Sequence, residues 1–398
     1  MPHSDQEALL LAHRAAFTSH FGPGEEPRLF FAPGRVNLMG AHLDYNGGPV
    51  MPMAINRGTF IAARPRSDGR LRLASTLEAS EFEGEVDTLA ESCARRSGAW
   101  VDYPLGVALG LLAAEPAEPV GLDMLFGGNL PVGAGLSSSA SICVGTALAL
   151  DQMWGLQAPP MDRVHAALRS EREYVGVRCG IMDPYAVGLA RPAHLLWLDC
   201  KDASHLHLPL DTQRLGIAVA DTGVRRTLAQ GEFNRRVLEC GQAFRVLSKY
   251  VAEASCLRDI PFEVFLEHRD ELDGAVGRRA EHVIREVERT FRARDALLAG
   301  KPEGFGQEMT SAHASLRDLF EVSCAELDTL VQSATALDFV AGSRLTGAGF
   351  GGCTAILFER AHEEELRARL TEDFRARHGS TPTVECFEGD LGPREITS

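Results

Sequence analysis

The sequence predicts a mixed α+β protein that folds as two lobes. Its 398 residues are too many for one ordinary domain and comfortable for two. Strand-like alternation and helical periodicity follow each other along the whole chain. Between Lys201 and Asp211, polar residues and a proline interrupt the apolar pattern, so we place the boundary there. The predicted lobes are residues 1–205 and 206–398.

The helices and strands are predicted from periodicity and from the glycines and prolines that end them. A first helix covers Glu7–Ser19, and Leu29–Ala32 is a strand that Pro33-Gly34 closes. Further strands are predicted at Thr59–Arg64, Leu71–Ser75, His194–Asp199, Leu215–Asp221 and Thr354–Phe358. Further helices are predicted at Ser138–Trp154, Met161–Tyr174, Glu232–Ala254, Leu272–Leu298 and His362–Ala376.

Composition indicates a globular protein and excludes several classes. Apolar residues make up 45% and charged residues 24%, close to the globular average. The net charge of −15 argues against a nucleic-acid partner, because that affinity comes from cations that neutralise phosphates. No apolar run can span a bilayer, and the polar start lacks the pattern of a signal peptide. Nine scattered cysteines without a C-x-x-C pair indicate reduced thiols, so we expect a cytoplasmic protein with no membrane partner.

The first stretch with chemical character is Pro33–Gly48. Its four glycines permit tight turns and positive φ. Arg35, His42 and Asp44 lie between them, and such groups hydrogen-bond sugar hydroxyls and neutralise phosphate. A turn-rich surface loop explains the composition equally well, so the residues alone leave both interpretations open.

The second stretch, residues 127–141, is rich in glycine and serine and leads into a predicted helix. Small residues leave N–H groups exposed at a helix N-terminus, where the helix dipole favours an anion. The hydroxyls of Ser137, Ser138 and Ser139 can donate to phosphate or ligate Mg²⁺. No lysine occupies the Walker A position, so the stretch is not a P-loop of the usual kind. Helix capping needs fewer than three hydroxyls, and phosphate binding is therefore favoured.

A third glycine-rich stretch, Leu345–Cys353, formally matches the dinucleotide-binding pattern G-x-G-x-x-G. That pattern requires a helix after it, whereas Thr354–Phe358 has the composition of a strand. We therefore reject a dinucleotide-binding fold and predict a glycine loop that closes over a ligand. A fourth stretch, Cys179–Asp183, places one carboxylate after a glycine and is a weak signal by itself.

Together and in this order, these stretches resemble the motifs of the GHMP kinases. Residues 34–48 are similar to the signature that distinguishes galactokinases among them. Residues 131–141 match the phosphate loop, residues 179–183 the stretch with the catalytic aspartate, and residues 344–353 the third motif. Two further family segments are matched by residues 225–236 and 313–327. The resemblance covers nearly the whole chain. It implies the two-lobed GHMP kinase fold: an N-terminal lobe with a left-handed βαβ unit, a ferredoxin-like C-terminal lobe, and an active site between them.

The resemblance also implies an ATP-dependent sugar 1-kinase that uses Mg²⁺. Asp183 looks like the general base that takes the proton of the anomeric hydroxyl, since a carboxyl pKa of about 3.9 leaves it ionised at neutral pH. Arg35 looks like its partner, Ser138 and Glu171 resemble the Mg²⁺ ligands, and Trp100 occupies the place of the residue that stacks on adenine. The implied ATP-binding residues are Trp100, Gly133, Gly135, Leu136, Ser137, Ser138, Ser139, Ala140 and Gly347. The implied sugar-binding residues are Ala41, His42, Asp44, Gly180, Phe233 and Arg226. We expect a small-molecule sugar as the partner, and a monomer or weak homo-oligomer.

Three positions depart from the galactokinase pattern. Galactokinases carry Glu in place of Ala41, and that Glu accepts a hydrogen bond from the C6 hydroxyl of the sugar. Leu43 replaces a Thr, and Phe233 replaces a Tyr that contacts the sugar. Asp44, similar to the family's ligand for ring hydroxyls, is retained, so we expect a galacto-configured sugar with a different group at C6.

The loss of a carboxylate beside C6 suits a substrate that itself carries a carboxylate there, because like charges repel. The Gly-Ala-His sequence at residues 40–42 also resembles galacturonate kinases. We therefore expect a galacturonate 1-kinase, with Arg226 as a candidate cation near C6. Galactose remains an alternative substrate if another group nearby compensates for the carboxylate that Ala41 lacks. L-Arabinose, which has no C6, is a further alternative.

Two other classes are weighed against a sugar kinase. Some galactokinase relatives are non-catalytic sugar sensors, but sensors tend to lose phosphate-loop residues, and here residues 137–141 and Asp183 are present. A GHMP kinase for mevalonate-type or amino-acid substrates is disfavoured by residues 42–46.

Overall fold

The structure is a computed structural model that describes residues 3–113, 119–131, 135–177, 179–225 and 229–397. The α-helices are α1 His3–Phe21, α2 Leu89–Ser92, α3 Asp102–Leu112, α4 Ser138–Trp154, α5 Pro160–Arg169, α6 Met182–Gly188, α7 Ala229–Leu247, α8 Phe262–His268, α9 Gly274–Leu298, α10 Pro302–Asp318, α11 Ala325–Thr335 and α12 Glu363–His378. The strands are β1 Arg28–Asn37, β2 Pro49–Val50, β3 Pro52–Arg66, β4 Arg70–Ser75, β5 Phe82–Glu85, β6 Gly121–Gly128, β7 His194–Asp199, β8 His205–Pro209, β9 Leu215–Asp221, β10 Val340–Thr346, β11 Cys353–Glu359, β12 Thr383–Phe387 and β13 Arg394–Ile396. A π-helix, Ser170–Val175, continues α5, and short 3₁₀ helices lie at Asp44–Asn46, Ser248–Tyr250, Leu257–Asp259, Arg269–Glu271 and Arg360–His362.

A six-stranded sheet in the order β13-β1-β3-β6-β4-β5 carries the N-terminal half of the chain. Its neighbours are antiparallel except β4 and β6, which run parallel. Because α2 and α3 lie between these two strands in the chain, the pair forms a βαβ unit; its left-handedness stays a prediction. Apolar residues of the sheet, such as Phe30, Ile61 and Phe126, share one core with α3 and α4.

A four-stranded antiparallel sheet in the order β10-β11-β9-β12 carries the C-terminal half. With α11 between β9 and β10 and α12 between β11 and β12, the chain order is that of the ferredoxin-like motif. One face packs on α11 and α12 around Phe358 and Phe374. The other face, with α9 and α10, shares a core with Val36, Leu38 and Met53 of the N-terminal strands. The two halves therefore meet where β1 ends.

The structure confirms most of the predicted elements, including α4, β7 and β9 with the predicted bounds. Strand β1 does not stop at Pro33-Gly34 but runs on to Asn37, with a shift of pairing between Pro33 and Gly34. The strand can continue because Gly34 has no side chain: a Cβ there would lie 2.7 Å from the Leu136 carbonyl oxygen. This extension places Arg35 on a strand beside the phosphate loop.

The segment Lys201–Asp211, predicted as the seam between the lobes, contains β8, which pairs with β7. It looked like a linker because polar residues and a proline interrupt the apolar pattern; in the structure, residues 205 and 206 at the start of β8 are exposed. A division at 205/206 thus cuts β8, and the C-terminal strand β13 returns to pair with β1. The division into residues 1–205 and 206–398 stays a prediction. None of the helices in the described ranges has the length and apolar character needed to cross a membrane.

Candidate active site

The predicted catalytic carboxylate, Asp183, lies in the first turn of α6 and is held by two side chains. Arg35 donates from Nε to Asp183 Oδ1 at 2.8 Å and from Nη2 to Oδ2 at 2.7 Å. The hydroxyl of Ser137 also donates to Oδ2. Arg35 is only 6% exposed, so its bidentate contact holds the carboxylate in one orientation. The structure thus brings together three predicted residues from three separate motifs.

Arg35 also ties β1 to the phosphate loop. Its Nη1 donates to the Gly135 carbonyl at 2.6 Å, and its backbone N–H donates to the Leu136 carbonyl at 3.0 Å. Gly347 of the third glycine stretch approaches the same loop: a Cβ on Gly135 would lie 3.4 Å from Gly347 Cα. Strand β11 directly follows that stretch, as expected for a loop that is not a dinucleotide-binding turn.

The other predicted ATP-binding residues occupy different environments. The side chains of Leu136 and Ala140 are buried in apolar cores. Only the backbone atoms of these two loop residues are therefore available to a phosphate. Ser138 is exposed at the start of α4, and Gly133 lies outside the described residues. Trp100 is half-buried, donates from Nε1 to the Ser80 carbonyl at 2.8 Å and packs edge-on against Phe126. Its stacking on adenine stays a prediction.

Glu171 lies in the π-helix that continues α5, where only 3% of its surface is exposed. Burial raises the pKa of this carboxyl to about 7; a hydrogen bond from Ser139 opposes the shift, and the charge of Asp183 adds to it. The serine that contacts Glu171 is therefore Ser139, next to the predicted Ser138. The described residues include no cluster of three or more His, Cys, Asp or Glu suited to a metal. Mg²⁺ keeps several waters and needs only one or two protein ligands, so a buried carboxylate beside serine hydroxyls fits it.

Asp183 and Arg35 border a cavity of about 220 Å³. The predicted sugar-binding residues of the described ranges line this cavity together with several others. The full lining, besides Asp183 and Arg35, is Asn37, Ala41, His42, Asp44, Tyr45, Val177, Cys179, Gly180, Met182, Phe233, Arg344, Gly347 and Ala348. Gly180 faces Asp44 so closely that a Cβ on the glycine would lie 2.0 Å from Asp44 Oδ2. Burial, reinforced by the charge of Asp183, raises the pKa of Asp44 to about 6.

Ala41 and His42 also border the cavity, and we call this part of its lining the Ala41 end. Helix α9 holds the backbone there, because Glu286 accepts hydrogen bonds from the N–H groups of Gly40 and Ala41, each at 3.2 Å. His42 contacts the ring of Phe233 at a centroid distance of 5.8 Å. Burial, followed by the charges of neighbouring groups, lowers the pKa of His42 to about 3. His42 is therefore neutral at neutral pH.

Sequence reasoning missed Arg344 and Asn37, which also line this cavity. Arg344, on β10, is 1% exposed and donates from Nη2 to the Asn37 carbonyl at 2.7 Å. Its Nε and Nη1, together with Asn37 Oδ1, have no partner among the described residues. Arg344 stands at the start of the third motif, but nothing in the local pattern indicated that it would reach the sugar cavity. Arg226, the predicted cation near C6, lies outside the described residues.

The sequence and the structure both match known proteins. Family models match for the galactokinase galactose-binding signature at residues 15–65, the GHMP kinases N terminal domain at 102–191 and the GHMP kinases C terminal at 293–376. A galactokinase from Chloroflexus aggregans is 39% identical over 368 residues, 92% of this chain and 93% of that protein. A galactokinase from Roseiflexus sp. is 38% identical over 372 residues, 93% of each chain. The crystal structure of Lactococcus lactis galactokinase in complex with galactose superposes with a TM-score of 0.91 at 31% identity, covering 98% of this chain and all of that one.

Proposed function

The chain belongs to the galactokinase family of the GHMP kinases, and from this premise we propose that it transfers the terminal phosphoryl group of ATP to the anomeric hydroxyl of a galacto-configured monosaccharide. The observation that carries the proposal is the position of Asp183. Its carboxylate is fixed by Arg35 and Ser137 and borders the same cavity as Asp44 and Gly180. A positioned carboxylate beside an anion-binding loop is the arrangement that phosphoryl transfer requires.

In the proposed reaction, Asp183 accepts the proton of the anomeric hydroxyl through a lone pair that Arg35 and Ser137 leave free. The sugar oxygen forms a bond to the terminal phosphorus, the bond from that phosphorus to the β-phosphate oxygen breaks, and ADP leaves. Arg35 neutralises negative charge next to the transferred group, and the N-terminus of α4 adds its dipole. Asp44 accepts hydrogen bonds from ring hydroxyls.

We assign Glu171 and the hydroxyls of Ser138 and Ser139 as the residues that would hold Mg²⁺. When bound, the ion neutralises charge on the phosphates of ATP. Excess chelator should abolish turnover, and Glu171→Gln should raise the Mg²⁺ concentration needed for half-maximal activity. The same assay on Ser138→Ala and Ser139→Ala identifies the hydroxyl involved. Full activity in chelator would refute the assignment.

We propose galacturonate as the preferred sugar, with galactose as the second candidate and L-arabinose as the third. The proposal for galacturonate is supported by Ala41, which offers a methyl group where galactokinases have a carboxylate. The candidacy of galactose is supported by the relatives, which carry the name galactokinase. A non-catalytic sensor is disfavoured by the intact contacts of Asp183.

The function is tested by a coupled ADP-release assay on galactose, galacturonate, glucuronate, L-arabinose and N-acetylgalactosamine, with phosphorus NMR of the products. We expect a sugar 1-phosphate from the galacto-configured sugars and little turnover of glucuronate. Absence of turnover with every sugar would overturn the kinase proposal. A strong preference for galactose in direct competition would overturn only the preference for galacturonate.

A further inference from the structure

Arg344 is a buried cation with an incomplete set of partners. A guanidinium carries five N–H donors and does not lose its proton in proteins; burial lowers the pKa of Arg344 only to about 10. The Asn37 carbonyl accepts from Nη2, while Nε and Nη1 have no partner among the residues that the structure describes. A buried donor without an acceptor costs more than an ordinary hydrogen bond gains. Because Arg344 borders a cavity, a ligand that brings acceptors can supply the missing hydrogen bonds.

The carboxylate whose charge acts on Arg344 is hydrogen-bonded to other groups. Glu286 affects the pKa of Arg344 through its charge, yet its Oε1 accepts from the backbone of Gly40 and Ala41, and its Oε2 accepts from Arg289 Nε at 2.7 Å. Its negative charge is thus shared with another arginine and two amides. It does not neutralise Arg344.

Besides Arg35 and Arg289, two further buried arginines are paired. Arg236 and Arg279 both donate to Glu239 Oε2, at 3.3 and 2.9 Å. His42, which borders the cavity, is neutral. Within the described ranges, Arg344 is therefore the cation of this region whose charge has no counter-ion.

Arg344 lies within electrostatic reach of Arg35 as well as of the residues around Ala41. Its charge contributes to the low pKa values of His42 and His282, and His282 Nε2 donates to the Ala41 carbonyl at 3.3 Å. Arg344 therefore lies near the residues around Ala41 and also near Arg35, and all of them border one cavity. Ala41 contributes only a methyl group there, so no side chain at residue 41 supplies oxygen atoms to the arginine.

We propose that Arg344 determines specificity by binding a carboxylate at C6 of the sugar, an inference that rests on the proposed sugar-kinase function. A uronate brings two charged oxygens to the incomplete guanidinium, which suits bidentate recognition. A hydroxymethyl group brings one neutral oxygen, and a pentose brings none. The selected substrate class is therefore a hexuronate of galacto configuration.

Two matched substitutions at residue 41 test the inference without removing the arginine. Ala41→Glu supplies a carboxylate of the protein's own to Arg344, and Ala41→Gln adds the same volume without the charge. We expect Ala41→Glu to lower the ratio of kcat/KM for galacturonate to kcat/KM for galactose about 10- to 100-fold, the usual range for a charged hydrogen bond. Ala41→Gln should lower it much less. Equal shifts from both variants would overturn the role of charge.

A second pair of variants changes the arginine itself. Arg344→Met removes the charge and should lower the same ratio about 10- to 100-fold, whereas Arg344→Lys keeps the charge and should retain more of the ratio. Loss of packing alone would reduce turnover of both sugars together and leave the ratio unmoved, which counts against the inference. If Arg344→Met does not fold, as judged by thermal unfolding, the comparison at residue 41 decides.

Failure of this inference is distinguishable from failure of the function. Good turnover of galactose by the wild type, with little turnover of galacturonate, leaves the kinase proposal standing and refutes carboxylate binding by Arg344. Calorimetric titration of galacturonate in the absence of ATP provides a readout independent of turnover. We expect Ala41→Glu to weaken this binding more than Ala41→Gln does.

Discussion

The two ends of the sugar cavity differ in how their charges are paired. At the Asp183 end, the carboxylate is satisfied by Arg35 and Ser137 before any ligand arrives. Arg344, which borders the same cavity as Ala41, has donors that no described residue uses. A fully paired group is held in position for chemistry and gains few new hydrogen bonds from any one substrate. A group with unused donors gains the most binding free energy from a substrate that supplies acceptors. On the two proposals above, reaction and selectivity depend on different side chains of one cavity.

The largest effect is expected at the paired end. Asp183→Asn keeps the volume and removes the proton acceptor, so kcat should fall about 10²- to 10⁴-fold with either sugar. Thermal unfolding and ATP binding should change little, which controls for folding. Near-normal turnover would remove Asp183 from the mechanism and with it the contrast between the two ends.

A smaller but still large effect is expected between the ends, at Gly180. Gly180→Ala places a Cβ against Asp44 Oδ2, and displacing a packed group typically costs about 1–3 kcal/mol. We expect KM for the sugar to rise about 10- to 100-fold, with KM for ATP nearly unchanged. A rise in KM for ATP instead would show that the loop serves the nucleotide.

The pH dependence sharpens the comparison, because the two ends titrate differently. Burial raises the pKa of Asp44 to about 6, so its ionised, hydrogen-bond-accepting form is lost as the pH falls through 6. At saturating Mg²⁺ and ATP, kcat/KM for the sugar should fall roughly tenfold between pH 7 and pH 5. Arg344 stays protonated over this range, so the ratio between galacturonate and galactose should stay constant. A flat profile for both sugars, or a ratio that changes with pH, would contradict this assignment.

The smallest effect is expected outside the cavity, at Trp100. Loss of an aromatic stacking partner costs about 0.5–1.5 kcal/mol, so Trp100→Ala should raise the Kd for ATP by a few-fold, up to about tenfold. Calorimetry measures this change. The preference between sugars should not move; a change in that preference would mean that Trp100 contacts the sugar side.

The mixed α+β, two-lobed fold of the GHMP kinases was predicted from the sequence and is confirmed, whereas the roles of the site residues stay predictions. Asp183, Arg35 and Ser137 were identified from their motifs, and the structure places them in contact. Strand β1 beyond Pro33-Gly34 was missed and the seam was placed across β8, because turn-forming and polar residues resemble strand ends and linkers when their neighbours are unknown. A glycine inside a strand, packed against another loop, looks in the sequence like the end of that strand. An exposed strand of a hairpin has the polar composition of a linker.

What the sequence determined by itself were features carried by residues close together in the chain. These include the helix from Ser138, the three glycine-rich stretches, and the alanine at residue 41. The pairing of Arg35 with Asp183, 148 residues apart, was expected from the family resemblance. Tertiary structure alone decided that Arg344 donates to the Asn37 carbonyl, 307 residues away. The physical reason is that a donor is unpaired only when no acceptor from any part of the chain lies within hydrogen-bonding distance. Periodicity and spacing describe one segment at a time, so the incomplete partners of Arg344 became visible only in the folded chain.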